Sequence, residues 1–230
     1  LPFAFKTLNL STTKPIKDSY LTLSAPCEGI FRDRGSKFLA YVSPVPTEEK
    51  AMEYLEEVRK LHPKGRHHCF AFRFGVNGEH FRANDDGEPS GTAGKPILGQ
   101  LVKNELSDVM AVVVRYFGGT LLGTSGLITA YKESTAEAIK NGSVREKVIS
   151  DAFKISFDYA LMPMVMEGVK KLELEILRQE FSASPFLEIS IRKSEVEGTI
   201  PRLKSLITGR PVEEIKDKKI ENLKIEKMDD

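Results

Sequence analysis

Along the first part of this chain the spacing of apolar residues switches repeatedly between a period of two and a period of about 3.6, the marks of strands and helices. Residues 20–30 and 36–43 read as two strands around the charged turn Arg32-Asp33-Arg34-Gly35. Pro44 and Pro46 end the second strand, and Thr47-Glu48-Glu49 gives the next helix a capping hydroxyl and early acids. That helix carries Met52, Leu55 and Val58 on one face until His62-Pro63 and Gly65 stop it. Residues 66–74 form a strand with Arg66, His68, Phe70 and Phe72 on one face and His67, Cys69, Ala71 and Arg73 on the other. Pro96 suits the first turn of a helix with the stripe Ile97, Leu98, Leu101 and Val102, ended by Asn104 or Ser107. The valine-rich run Val109 to Val114 is too short for a buried helix and reads as a central strand. A further helix bearing Leu127, Ile128, Tyr131, Ala138 and Ile139 runs to Asn141-Gly142. This alternation implies helices layered on a sheet.

A second unit starts near Val148. Phe153, Ile155, Phe157 and Tyr159 alternate with Lys154, Ser156 and Asp158, which predicts a strand with one wet face. A helix with Pro163 in its first turn follows, then two strands flanking Ser182 to Pro185. Ser194-Glu195-Val196-Glu197 matches a capping box ahead of a helix with Val196, Ile200, Leu203 and Ile207. Residues 211–228 return as an interrupted strand. The order βαββαβ fits a ferredoxin-like unit. The expected organisation is an extension over 1–19, one domain over 20–145 and a ferredoxin-like domain over 148–228.

Between the helices lie two glycine-rich blocks, Asp85 to Pro96 and Arg115 to Gly126. Glycine at this density beside apolar elements implies tight turns or close approach to the backbone. Both blocks run into helix N-termini, where unpaired N–H groups attract anions. Lys95 and Arg115 add charge there, and Thr92, Thr124 and Ser125 add donors. A phosphate- or carboxylate-binding surface is one reading, and close packing of two helices on the sheet is the other. The nucleotide loops fail on spacing. A phosphate loop ending at Gly94-Lys95 needs glycine at 89 and a hydroxyl at 96, and both are proline. Glycines at 118, 119, 123 and 126 do not make the dinucleotide pattern.

Composition narrows the class further. The 230 residues are 40% apolar and 29% charged with a formal charge of +1, so an ordinary globular protein with no global positive field is expected. Two distant cysteines, Cys27 and Cys69, argue against structural zinc and a disulfide scaffold. No apolar run spans a bilayer and residues 1–16 lack a signal-like core, so the cytoplasm is the default location, with no membrane partner. No cofactor or bound metal is expected. His67-His68 with Asp85, Asp86 and Glu88 raises a cation site or an acid–base pair of His68 and Asp86, against the simpler reading of an acidic turn. Ser90, Ser125 and Cys69 lack an activating partner. Phe70, Phe72 and Phe74 share a strand face, which is core in most domains and a base-stacking platform in some.

In Gly35-Ser36-Lys37-Phe38-Leu39-Ala40, Arg66-His67-His68-Cys69-Phe70-Ala71, Asp85 through Pro96, Val112 through Gly119 and Leu122 through Leu127, the sequence resembles the IMPACT/YigZ family. These blocks span about residues 20–130. The resemblance implies an α+β fold: an N-terminal domain similar to domain 2 of ribosomal protein S5, followed by a ferredoxin-like domain. Its signature marks Arg66, His68, Asp85, Asp86, Gly87, Glu88, Gly91, Gly94, Lys95, Arg115, Tyr116, Gly118, Gly119, Gly123 and Gly126. Ser125 stands where some relatives carry a second glycine. Eukaryotic relatives are linked to translational control, so the resemblance implies a non-enzymatic regulator that engages RNA or ribosome-associated proteins. The alternative is an enzyme acting on a phosphorylated small molecule at the glycine-rich edge through His68, Asp85, Asp86 and Lys95.

Overall fold

The computed structural model describes residues 17–228. The extension expected over 1–19 lies, up to residue 16, outside the described residues. Two compact units are present, one of Ser19–Val148 and one formed by the chain from Ile149 onward together with Asp18.

The first unit contains β1 (Ser19–Leu23), β2 (Cys27–Asp33), β3 (Ser36–Pro44), α1 (Glu48–Leu61), β4 (His67–Phe74), β5 (His80–Asn84), α2 (Gly94–Lys103), β6 (Val109–Tyr116), α3 (Gly123–Asn141) and β7 (Val144–Val148). Five strands make an antiparallel sheet in the order β2-β3-β6-β4-β5. The valine run of β6 occupies its centre and is buried on both faces, which is why its sequence shows no alternation. On one face Phe38, Ala40, Cys69, Ala71, Ala111 and Val113 pack against Ile97 and Leu101 of α2 and Leu127 and Tyr131 of α3. On the other, Phe70, Phe72, Phe74, Met110, Val112 and Val114 pack against Ala51, Leu55 and Val58 of α1. The three phenylalanines are therefore core, not a stacking platform. The Thr47 hydroxyl accepts the Lys50 N–H at 3.3 Å and caps α1 as its sequence predicts.

The second unit contains β8 (Ser150–Phe157), α4 (Met162–Lys171), β9 (Glu175–Glu180), β10 (Phe186–Arg192), α5 (Val196–Thr208), α6 (Val212–Ile215) and β11 (Leu223–Lys227). Its antiparallel sheet runs β11-β8-β10-β9, the ferredoxin-like order for βαββαβ. Ile155, Leu187 and Ile189 meet Val165 and Val169 of α4 and Leu203 and Ile207 of α5. The buried Asp18 carboxylate accepts hydrogen bonds from Arg192 at 2.8 and 3.0 Å and from the Ser194 N–H at 3.1 Å.

Four expectations need correction. The strand expected over 20–30 is two strands, broken at Ser24-Ala25-Pro26, and β1 leaves the main sheet to pair with β7. Neither β5 nor β7 was expected from the pattern. The capping box at Ser194 is not formed: α5 has no side-chain cap bond, and the Ser194 N–H goes to Asp18. Residues 211–228 hold a short helix before the strand, because Ile215 turns inward and is buried. Among the described residues no helix is long and apolar enough to cross a membrane.

Candidate functional site

The first glycine block is a turn organised around Asp85. Its carboxylate accepts the backbone N–H groups of Gly91 at 2.8 Å, Ala93 at 2.9 Å and Gly94 at 2.8 Å. Ala93 is the cap residue of α2 and has no side chain able to do this, so a carboxylate eight residues earlier fills the helix N-terminus. Burial disfavours the Asp85 charge, but the three N–H donors outweigh it and hold the carboxyl below its ordinary pKa. The anion site predicted at this N-terminus is thus occupied by the protein's own side chain. Gly94 is required by space: a Cβ there would lie 2.6 Å from the Asn84 nitrogen.

Asp86 is equally committed. It sits at φ 42° and its carboxylate accepts the His68 backbone N–H at 2.6 Å. The His68 ring lies on the α1 face of β4 with Phe70 and Phe72, as strand parity requires. The Asp86 carboxylate therefore meets the His68 backbone and not its ring, and the predicted acid–base pair is not assembled. Burial lowers the His68 pKa, and its Nε2 is buried with no hydrogen-bond partner among the described residues. Those residues contain no cluster of three His, Cys, Asp or Glu able to hold a metal ion.

Glu88 and Arg115 are buried together beneath the corner. Their side chains are 3% and 8% exposed and meet at 2.7 Å. The same Glu88 oxygen accepts the Tyr131 hydroxyl at 2.8 Å, and Tyr131 takes a 3.3 Å bond from the Cys69 thiol. Burial pushes both the Tyr131 and Cys69 pKa values well up, leaving Cys69 a poor nucleophile. The Arg115 guanidinium lies 5.6 Å from the ring centres of both Phe38 and Phe117. Glu88 and Arg115, predicted as surface contacts, are instead its foundation. Tyr116 points the opposite way and bonds the His62 ring at 3.0 Å.

The second block turns sharply at Gly118, whose Cβ would fall 1.9 Å from the Gly35 carbonyl carbon, while its N–H donates to the Ser36 hydroxyl at 3.1 Å. Beyond it Gly119, Gly123, Thr124 and Ser125 are exposed and Gly126 is half-buried. No side chain caps α3. Thr92 is buried, with its hydroxyl on the Pro89 carbonyl at 2.7 Å, whereas Lys95 is exposed with no ion pair among the described residues.

What remains open is a cleft of about 320 Å³ lined by Arg66, His67, Arg115, Phe117 and Leu121. Arg66 is exposed and forms no ion pair among the described residues, and no carboxylate lines the walls. Phe117 is 47% exposed and Leu121 81%. His67, Phe117 and Leu121 were missed as site residues. Parity already separates His67 from His68, but nothing local in the sequence says which of them reaches an open edge.

The family model for the Impact N-terminal domain matches residues 34–139, which contain every residue of this corner. An IMPACT family member of Haemophilus influenzae is 37% identical over 179 residues, 77% of this chain and 87% of that protein. The chain belongs to the IMPACT family. IMPACT family member YvyE of Bacillus subtilis is 33% identical over 192 residues, covering 84% of this chain and 88% of its own. A crystal structure described as that of a hypothetical protein superposes with a TM-score of 0.62 at 27% identity, over 93% of this chain and 99% of that one. Two such matches run well past residue 139, so the likeness of IMPACT relatives to this chain extends into the second unit.

Proposed function

We propose that this IMPACT-family protein is a translation-associated regulator that binds RNA or ribosome-linked machinery at the glycine-rich corner, with no catalytic step of its own. The translational setting comes from the family resemblance of the sequence. The observation that carries the binding reading is the division of labour at the corner. Its acids are used up internally, Asp85 on the α2 N-terminus, Asp86 on the His68 N–H and Glu88 on Arg115. The residues left facing outward are Arg66, His67, Lys95, Phe117 and Leu121 beside an exposed glycine loop. Unpaired cations, apolar side chains and open backbone suit a polyanionic partner. A reaction needing the His68 ring with Asp86 finds that carboxylate bonded to the His68 backbone N–H instead, which favours binding over acid–base chemistry.

The test is RNA crosslinking and ribosome co-sedimentation of the whole chain against an Arg66→Ala, Lys95→Ala double variant. Both residues are exposed, so the variant folds. The expected result is association that weakens steeply with salt and drops in the variant. Salt-insensitive or absent association of the intact chain with both RNA and ribosomes overturns the reading.

A further inference from the structure

We propose that the cleft between β4 and the 117–122 loop holds a single nucleotide, its base stacked on Phe117, its phosphate on Arg66 and a ribose hydroxyl or base amino group on His67. The inference rests on the binding reading above and names the chemical unit that the cleft takes.

Three features of the walls select this ligand. The Phe117 ring is anchored on one side by Arg115, 5.6 Å from its centre, yet 47% of the residue is exposed. A ring held in place with a free surface is a stacking platform, and base–aromatic stacking tolerates any base. His67 supplies direction. Its Nδ1 lies 2.7 Å from the Asp86 carbonyl oxygen, so Nδ1 carries the proton and donates. In the neutral ring Nε2 is then an acceptor, and the bond at Nδ1 is the only hydrogen bond the His67 ring makes among the described residues. An acceptor fixed by a backbone bond on its opposite nitrogen suits an O–H or N–H of the ligand. Arg66 supplies charge: it is exposed, unpaired among the described residues and next to His67 in the chain. With no carboxylate in the lining, an anion meets no opposing charge there.

Size agrees with the chemistry. A cleft of about 320 Å³ lies at the small end of ligand sites, the scale of one nucleotide rather than a dinucleotide. Leu121, 81% exposed at the rim, is placed to close over the apolar face of a stacked base.

The experiment follows the His67 and Phe117 ring resonances of the whole chain by NMR while adenosine 5′-monophosphate is added. Parallel titrations use adenosine, inorganic phosphate and a single-stranded RNA hexamer. The expected result is a saturable shift of both rings with the monophosphate, and affinities at least about tenfold weaker for adenosine and for phosphate alone. Phe117→Ala weakens the monophosphate about tenfold or more, while Phe117→Tyr retains it. Hexamer that displaces the monophosphate makes RNA the source of the nucleotide. Hexamer that fails to displace it makes a free nucleotide the ligand. Unmoved His67 and Phe117 resonances overturn this inference even if RNA still associates elsewhere on the chain, and so does equal affinity in Phe117→Ala. Saturable monophosphate binding without RNA or ribosome association overturns the regulator reading and leaves the nucleotide cleft standing.

Discussion

The buried Glu88–Arg115 pair gives the sharpest test of how the corner is held. Replacing Glu88 by Gln keeps the side chain's shape and removes its charge. Arg115 is 8% exposed on its side chain, and its Nε already lacks a partner among the described residues. Glu88 is the only carboxylate bonded to this guanidinium among those residues, and it also accepts the Tyr131 hydroxyl. Breaking a buried pair on one side leaves a desolvated charge and typically costs about 3–5 kcal/mol. With an m-value of about 2 kcal/mol/M, the urea midpoint of the first unit falls by roughly 1.5–2.5 M. Two units require a probe confined to one of them, so the readout is exchange protection of the Val112 and Val113 amides at the centre of β6. A triple variant, Glu88→Leu, Arg115→Met and Tyr131→Phe, removes the ion pair and the hydroxyl bonded to it, leaves the Cys69 thiol on the Asp85 carbonyl, and recovers most of that loss, because the pair's attraction mainly offsets its own desolvation. A cost below about 1 kcal/mol for Glu88→Gln, or a triple variant less stable than the single one, refutes the desolvation argument.

Other consequences are as direct. Asp85→Ala strips the acceptor from three N–H groups and destabilises the first unit by about 1–2 kcal/mol, the usual scale for a lost cap. Faster exchange at Ile97 through Leu101 in α2 reads this out, and Asp85→Asn recovers part of it. Cys27 and Cys69 are both buried, and burial raises both thiol pKa values. Ellman's reagent at neutral pH therefore labels neither in the native protein and both after denaturation; rapid native labelling of Cys69 contradicts the packing. Asp18 has its pKa held well below the usual carboxylate range by its hydrogen bonds from Arg192 and Ser194. Its stabilising contribution to the second unit is complete above the unfolded-state value of about 3.9 and is lost as pH falls below it. Acid titration of that unit shows a slope below about pH 4 that Asp18→Asn reduces, leaving the smaller part due to Glu167, whose pKa is lowered by Lys171.

The elements legible in the sequence are those whose burial writes a period into it. The β6 valine run, the Met52-Leu55-Val58 stripe of α1 and the Phe153-Ile155-Phe157 alternation of β8 each appear where expected. The two missed strands share one cause. In β7 all five residues are exposed and in β5 four of five are, so pairing there is carried by the backbone and leaves no apolar trace. Capping divides in the same way. Thr47 acts three residues away and is visible as a local rule, whereas Asp85 reaches α2 from eight residues before its cap, through a turn that only the folded chain defines.

That distance explains why the site moved when the fold was known. A segment dense in glycine and carboxylates looks the same in sequence whether its acids meet a ligand or their own backbone. In this chain Asp85 and Asp86 meet backbone N–H groups and Glu88 meets Arg115, so the acidic signature encodes the turn. The residues open to a partner look ordinary by comparison. Leu121 and Leu122 are adjacent and identical in type, yet one is 81% exposed and the other 6%. No hydrophobic period separates them; the turn at Gly118 and the start of α3 at Gly123 do. Exposure of an apolar side chain beside an unpaired cation is a property of the fold, and it leaves Arg66, His67, Phe117 and Leu121 lining an open cleft while the acids beside them bond within the protein.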